Sequence, residues 1–291
     1  MPFIRSVESL PASVETIAEL MRNHATCVLT GAGISTDSGI PDYRGGGKIP
    51  TNRIDFATFI SSETARKKYW LRGFLGFTRF TEALPNRGHR LVAALEQNGL
   101  VNGVVTQNVD GLHRKAGSSR VAELHGNVFR LVCLNCGQRF ARAKFNALFA
   151  QLNPWVESHP DLQHVDLESD DFAAPTLIDA VLIPPCTVCA GTLKPDVVFF
   201  GEYMNLQTYR SAEDIVKQAE LLMVVGSSLV VNSAVRLVEV ARKRKLPLVI
   251  VNRGATKVDK LAAVRLDAGA TEVLNDVAER LGISDVFEDI E

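Results

Sequence analysis

A short apolar run, Ala25–Leu29, leads into the glycine-rich segment TGAGISTDSGIPDYRG at residues 30–45. Gly31 and Gly33 allow a tight turn after a strand, with backbone amides offered to a pyrophosphate at the start of a helix. The dinucleotide fingerprint G-x-G-x-x-G would need its third glycine at Thr36, so this fingerprint is incomplete. A glycine turn that serves only packing is the competing interpretation.

Further short apolar runs alternate with helical patterns and predict an α/β fold, in which helices cover both faces of a parallel sheet. Residues 13–22 and 233–245 have the clearest helical spacing. Ligands of such sheets bind beyond the carboxyl ends of the strands, where this sequence places its polar residues. The predicted later strands are Gly103–Thr106, Asp196–Phe200, Leu221–Val225 and Pro247–Val251.

Two stretches interrupt this alternation. Residues 45–88, rich in aromatic side chains and arginine, predict a helical insertion. Residues 131–194 predict a small zinc domain. The domain that contains the parallel sheet is then expected to comprise residues 1–44, 89–130 and 195–291.

Four of the five cysteines form two C-x-x-C pairs, Cys133 with Cys136 and Cys186 with Cys189. Two such pairs can close a tetrahedral site of four cysteine sulfurs around one zinc ion. Disulfides are the alternative, and they are uncommon in intracellular proteins. Because four sulfurs leave no position for a substrate, the predicted zinc ion is structural. Cys27, alone in an apolar run, is predicted to be a core residue.

The formal net charge of −1 argues against a nucleic-acid-binding or anionic-membrane-binding surface. No apolar run approaches the roughly 20 residues that span a bilayer, and the first residues lack a signal-type apolar core. We expect a cytoplasmic protein, or a mitochondrial-matrix protein if a transit peptide has been removed. A monomer is expected.

The motif TQNVDGLH, residues 106–113, places amide and carboxylate groups just beyond a predicted strand. Gln107, Asn108 and Asp110 could recognise ribose hydroxyls and a carboxamide. The alternative is a capped turn that bends at Asp110 and the glycine after it. His113 is either the last member of this polar motif or a helix residue that faces solvent.

His125 lies directly before Gly126, whose backbone freedom can expose the imidazole ring. Histidine titrates near neutral pH, so His125 is a candidate general base. His24, His159 and His164 have no comparable setting and are predicted to be structural.

Taken together, these motifs resemble those of the sirtuins, NAD-dependent protein deacylases. GAGISTDSGIPDYRG, TQNVDGLH, ELHG, the paired cysteines, LKPDVVFFGE and GSSL follow one another over roughly residues 14–274. LNPWVESHP and LKPDVVFFGEYMN are most similar to the class II branch, which includes the mitochondrial lipoamidase and ADP-ribosyltransferase sirtuin.

The resemblance implies that the parallel sheet belongs to a Rossmann-like NAD-binding domain. It also implies that NAD is a co-substrate, cleaved without hydride transfer. His125 is then the catalytic base, and Asn108 assists at the nicotinamide ribose. The acyl-lysine carbonyl attacks the anomeric carbon and expels nicotinamide, and a ribose hydroxyl deprotonated by His125 captures the acyl group. The implied NAD-binding residues are Gly31, Ala32, Gly33, Ser35, Asp42, Tyr43, Arg44, Gln107, Asn108, Val109, Asp110, Gly226, Ser227, Ser228, Asn252, Arg253, Gly254 and Ala270.

The resemblance also implies that an acyl-lysine protein or peptide substrate pairs with the backbone of residues 197–202 as an added strand. The candidate contacts there are Val198, Phe199, Gly201 and Glu202. The acidic segment 161–171 is interpreted as a solvated insertion, or alternatively as an ordered loop near the acyl chain.

Tyr69 and Arg72 lie three residues apart, on one face of a predicted helix. Their spacing resembles that in sirtuins that accept negatively charged acyl chains, which predicts a preference for carboxylated over acetyl groups. The alternative is an aromatic packing helix whose arginine reaches solvent.

Three other classes of function compete with the deacylase interpretation. The same site could transfer ADP-ribose to protein or hydrolyse NAD. A zinc-ribbon module that binds nucleic acid is a non-enzymatic alternative, which the charge disfavours. A conventional dehydrogenase is disfavoured because Thr36 occupies the last fingerprint position.

Overall fold

The computed structural model describes residues 10–42, 54–167, 169 and 171–284. No helix within these ranges is both long and apolar enough to span a membrane. The elements follow in this order: α1 (Leu10–Asn23), β1 (Thr26–Thr30), α2 (Phe56–Ser61), α3 (Glu63–Leu75), α4 (Thr78–Glu82), α5 (Arg87–Gln97), β2 (Val101–Thr106), α6 (Leu112–Lys115), β3 (Val121–Glu123), β4 (Gly126–Cys133), β5 (Arg139–Ala141), α7 (Arg142–Leu152), α8 (Pro175–Ala180), β6 (Leu193–Val197), α9 (Leu206–Lys217), β7 (Leu221–Val225), α10 (Asn232–Lys243), β8 (Leu248–Val251), β9 (Val264–Leu266) and α11 (Ala270–Leu281).

Contacts within the chain define two compact units. The large unit comprises Met1–Tyr43, Ala83–His125 and Met204–Glu291. The small unit comprises Arg44–Glu82 and Gly126–Tyr203.

The large unit contains a parallel sheet with the strand order β3-β2-β1-β7-β8-β9. Side chains of β1 alternate between its two faces, with Val28 in one apolar cluster and Cys27 and Leu29 in the other. One cluster includes residues of α1, α5 and α11, and the other includes residues of α9 and α10. The predicted parallel sheet with helices on both faces is confirmed. Its order follows the doubly wound pattern, which reverses direction between β1 and β7.

The small unit contains an antiparallel sheet with the strand order β5-β4-β6. Our placement of Asp196–Phe200 as a strand of the parallel sheet is wrong, because β6 (Leu193–Val197) pairs with β4 at this sheet's edge. A short apolar run does not reveal which sheet it joins. Pro195 was an informative signal, since proline within sheets is confined largely to edge strands and bulges.

The predicted helical insertion is present as α2, α3 and α4. Its aromatic side chains share one core with α7 and with the segment between the cysteine pairs. Leu162 and Phe172, which flank the acidic part of that segment, are buried in this core. The segment is therefore anchored at both ends and is more than a solvated insertion.

Candidate functional site

The turns that follow β1 and β7 meet at the point where the strand order reverses. The Gly31 amide donates to the Val225 carbonyl (3.1 Å), and the Gly33 amide donates to the Gly226 carbonyl (2.9 Å). A Cβ atom on Gly31 would lie 2.7 Å from the Gly226 oxygen, and one on Gly226 would lie 2.6 Å from the Ile34 nitrogen. These glycines are therefore required for contact between the two turns, as the packing interpretation proposed. Their predicted role at a pyrophosphate stays a prediction.

The segment after β1 does not begin an α-helix as predicted. It forms two 3₁₀ turns, Ala32–Ile34 and Thr36–Ser38. The polar side chains in this segment interrupt regular helix formation by bonding locally, as when the Thr36 hydroxyl donates to the Gly33 carbonyl (3.1 Å). Asp42 is half-buried, whereas the predicted NAD-binding residues Tyr43 and Arg44 lie outside the described residues.

Three predicted site residues form a buried polar network beyond β1 and β2. The Asn108 amide donates to the Gly31 carbonyl (3.0 Å) and to the Ser35 hydroxyl (2.9 Å). The Ser35 hydroxyl donates to Asp110 Oδ2 (2.8 Å). Asp110 Oδ1 accepts from the Leu112 amide (2.9 Å), so the predicted capped turn and the polar cluster are both present. Burial raises the pKa of the Asp110 carboxyl.

His125 is held through both of its ring nitrogens. Nδ1 lies 2.9 Å from the Gln107 carbonyl oxygen, and Nε2 lies 2.9 Å from the Ser233 hydroxyl oxygen. A carbonyl oxygen can only accept, so Nδ1 carries the proton and Nε2 of the neutral ring carries the lone pair. Burial lowers the pKa of His125, opposed by the bond to the Gln107 carbonyl. His125 is therefore a neutral ring whose basic atom is Nε2.

Gln107 links three parts of the large unit. Its amide nitrogen donates to the Thr30 carbonyl at the end of β1 (3.0 Å). Its side-chain amide donates to the Ser227 hydroxyl after β7 (2.7 Å), while its own carbonyl orients His125. The predicted catalytic base and the predicted NAD-binding turns are thereby connected through one residue.

Two further histidines lie behind this network, and the sequence did not single out His89. Thr30 Oγ1 lies 2.9 Å from His113 Nε2, and the centroids of the His113 and His89 rings are 4.9 Å apart. Both rings are fully buried, so His113 does not face solvent from a helix. Burial lowers the pKa of His113 to about 4 and that of His89 well below its ordinary value. The Nδ1 atoms of both rings have no partner among the described residues.

Acidification is expected to destabilise the protein through His113. The unfolded ring titrates near 6.5, so between pH 6.5 and about 4 the unfolded chain binds more protons than the folded one. The stabilisation is complete above pH 6.5, and about 3 kcal/mol should be lost by pH 4 from this group alone. Urea unfolding at pH 7 and pH 4.5 measures the effect. The unfolding free energy of a His113→Gln variant should depend less on pH than that of the parent. A His164→Gln variant, changed at an exposed histidine, should show the parent's pH dependence.

The predicted NAD-binding residues Asn252, Arg253, Gly254 and Ala270 follow β8 and β9. The buried Asn252 side chain donates to the carbonyls of Arg253 (2.9 Å) and Gly254 (3.0 Å), which fixes this turn. The Gly254 amide donates to Asp267 Oδ1 (3.1 Å), a partner that the sequence did not reveal. Ala270 is the buried first residue of α11. The remaining predicted contacts, Val109 and Ser228, are half-buried.

This edge of the sheet has the chemical groups that NAD requires. Ligands of doubly wound sheets bind where the strand order reverses, and the turns after β1 and β7 occupy that position. Two amides, one hydroxyl and one carboxyl converge there, and they can hydrogen-bond to ribose hydroxyls and a carboxamide. They belong to Gln107, Asn108, Ser227 and Asp110. The residues present therefore fit the dinucleotide.

The four predicted zinc ligands lie together in the small unit. All four sulfur atoms are within 4.8 Å of one another, with Cys133 Sγ 3.5 Å from Cys189 Sγ and Cys136 Sγ 3.8 Å from Cys186 Sγ. A tetrahedral site with Zn–S bonds of ~2.3 Å places its sulfurs roughly 3.8 Å apart. The cluster therefore fits one zinc ion, which would be held by all four thiolates. Amide hydrogen bonds, chiefly from Cys136, lower the pKa of the Cys133 thiol to about 6.

The predicted peptide-binding segment is fastened to β6 by an ion pair. Nζ of the buried Lys194 lies 3.1 Å from Glu202 Oε2, which also accepts from the Phe199 amide (2.8 Å). The Glu202 carboxylate is therefore used within the chain, and Phe199 is buried. Val198 is half-buried and Gly201 is exposed. Backbone pairing of this segment with a peptide stays a prediction.

Tyr69 and Arg72 lie on α3 and are both half-buried. The Tyr69 ring packs against Phe199, with 5.2 Å between ring centroids. The Arg72 guanidinium lies 4.7 Å above the Phe172 ring, and its Nη2 donates to the Ser169 carbonyl (2.7 Å). Arg72 is thus held by the segment between the cysteine pairs rather than reaching freely into solvent.

Comparison with known sequences gives consistent matches. The family model of the Sir2 family matches residues 31–233. The chain is similar to NAD-dependent protein deacetylase 1 of Streptomyces coelicolor, with 42% identity over 276 residues, which cover 92% of this chain and 89% of that protein. It is also similar to the NAD-dependent protein lipoamidase sirtuin-4, mitochondrial, of Homo sapiens. That identity is 41% over 280 residues, covering 91% of this chain and 87% of that protein.

Solved structures extend the similarity to the fold. One described as "Sir2-p53 peptide-NAD+" matches with a TM-score of 0.75 and 33% identity, over 93% of this chain and 99% of that one. Another, described as "Sir2 bound to acetylated peptide", matches with a TM-score of 0.72 and 32% identity, over 93% and 99% of the two chains.

Proposed function

The chain belongs to the Sir2 family and is an NAD-dependent protein deacylase, and from this premise we propose that it transfers the acyl group of an acyl-lysine to ADP-ribose. The observation that carries the proposal is the state of His125, which is neutral, has a fixed tautomer and lies beside the turns predicted to bind NAD. A base in this state can accept a proton at pH 7 without first losing one.

The side chains of the site have distinct tasks in this reaction. Bound NAD supplies the ribose and the bond to nicotinamide that is broken. His125 is the final acceptor of the proton that a ribose hydroxyl loses, and the Gln107 carbonyl stabilises the resulting imidazolium through Nδ1–H. Asn108, fixed by Gly31 and Ser35, orients the ribose. Asp110, whose pKa is raised by burial, can bond a neutral carboxamide.

The products distinguish this function from its enzymatic alternatives. Purified protein, NAD and an acyl-lysine peptide should yield free lysine, nicotinamide and O-acyl-ADP-ribose, which mass spectrometry resolves. Nicotinamide release with ADP-ribose attached to protein would instead identify ADP-ribosyl transfer. Nicotinamide release with free ADP-ribose would identify NAD hydrolysis. The protein substrate, a monomeric state and the absence of nucleic-acid binding stay predictions.

For the acyl chain we propose a preference for carboxylated groups such as glutaryl over acetyl. The Arg72 Nε atom is buried and has no acceptor among the described residues, although Nη2 is bonded. A buried donor without an acceptor is costly, and a carboxylate is the acceptor that a guanidinium binds best. The similarity to a lipoamidase supports the broader view that longer acyl groups than acetyl are substrates.

Substitution of Arg72 tests this preference. An Arg72→Gln variant is expected to lose roughly 10- to 100-fold in kcat/KM for a glutaryl peptide, the range for a charged hydrogen bond, while kcat/KM for an acetyl peptide stays near the parent's. The exposed Arg79→Gln variant on α4 of the same unit is the matched control. Fastest hydrolysis of acetyl by the parent would contradict the preference. If a lipoyl peptide is hydrolysed fastest, the preference is instead for long uncharged acyl chains.

A further inference from the structure

The basic atom of His125 already has a hydrogen-bond partner within the large unit. Nε2 has a single in-plane lone pair, and the Ser233 hydroxyl oxygen lies 2.9 Å from this atom. Because Nδ1 donates to the Gln107 carbonyl, Nε2 of the neutral ring can only accept, and the Ser233 hydroxyl is the donor. A substrate hydroxyl therefore cannot bond Nε2 while Ser233 holds this position.

Ser233 is placed to transfer a proton as well as to occupy the Nε2 lone pair of His125. It lies at the second residue of α10, and it is half-buried. Its hydroxyl makes no other hydrogen bond to the described residues, so both oxygen lone pairs are available to a donor. A ribose hydroxyl is such a donor.

We propose, on the basis of the proposed acyl transfer, that Ser233 relays the proton from the ribose hydroxyl to His125. The ribose O–H bond breaks, and its electron pair forms the new bond to the acyl carbon. The π pair of that carbon's double bond to the lysine nitrogen moves onto this nitrogen. The ribose proton passes to Ser233 Oγ while the Ser233 proton passes to His125 Nε2. Ser233 ends as a neutral hydroxyl and His125 as an imidazolium bonded to the Gln107 carbonyl.

The relay acts only after nicotinamide has left. Loss of the relay can therefore be distinguished from weaker substrate binding. A Ser233→Ala variant is expected to slow acyl transfer roughly 10- to 100-fold, which is part of the rate enhancement that a general base provides. The rate of nicotinamide exchange should stay unchanged. A Ser233→Thr variant keeps the hydroxyl and should retain most of the parent's rate. Ser211→Ala, at an exposed serine of α9, is the matched control.

A second measurement needs neither NAD nor activity. In the NAD-free protein with 15N-labelled histidine, the Nε2 resonance of His125 should shift in Ser233→Ala, and Nδ1 should stay protonated. An unchanged Nε2 resonance would overturn the hydrogen bond. Parental acyl transfer by Ser233→Ala, or equal losses of acyl transfer and nicotinamide exchange, would overturn the relay. Failure of the parent itself to release lysine would overturn the proposed function instead, and the resonance would still report on the Ser233 contact.

Discussion

Replacing His125 with glutamine is expected to slow deacylation by roughly 10²- to 10⁴-fold, the range for loss of a general base. A glutamine amide can fill the space and bond to the Gln107 carbonyl, but it cannot accept a proton at the position of Nε2. The loss should fall on kcat, because the turns that are predicted to bind NAD are held by Gln107, Ser35 and Asn108 rather than by the imidazole. Steady-state kinetics with one acyl peptide measure it.

The matched control makes the same chemical change at an exposed histidine. His164→Gln alters a residue of the small unit that lies far along the chain from the predicted base, and it should keep the parent's kcat. Near-parental deacylation by His125→Gln would contradict the assignment of the base.

Loss of the zinc site has the second large expected effect. Chelation, or a Cys186→Ser substitution, should remove the metal and unfold the small unit, since structural zinc sites contribute on the order of 10 kcal/mol to folding. Cys133 ends β4, and Cys186 lies in the segment that leads into β6, so the metal ties together the two strands that form most of this sheet. Zinc content by mass spectrometry and unfolding by circular dichroism check the result.

Cys27→Ala is the control for the zinc experiment. Cys27 is buried in β1 of the large unit and is separate from the four clustered sulfurs. This variant should leave a small core cavity and lower the unfolding free energy, yet its zinc content should equal the parent's. A parental zinc content in Cys186→Ser would contradict the four-sulfur site.

The sequence predicted the parts of the fold that depend on local pattern. β7 and the approximate extents of β1, β2, β8, α1 and α10 follow from apolar runs and helical spacing. β3 and β9, each three residues long, were missed because so short a run carries no periodicity. The misplaced β6 shows the same limit, because strand pairing is decided by tertiary contacts that one run does not encode.

The candidate site shows a similar division. Gln107, Asn108, Asp110 and His125 were visible because they stand in short polar motifs. Ser233 was not, since it lies 108 residues from the histidine that it contacts. His89, likewise, has no local motif and is brought to its partner only by packing.

Main-chain atoms orient the candidate base, and this has an evolutionary consequence. The group that fixes the tautomer of His125 is the carbonyl of residue 107, which every amino acid possesses. Selection, or a protein engineer, can therefore exchange the side chain there to retune ligand contacts without disturbing which imidazole nitrogen is basic. A shift in the path of the chain itself, such as an insertion beside this position, would instead remove the acceptor from Nδ1.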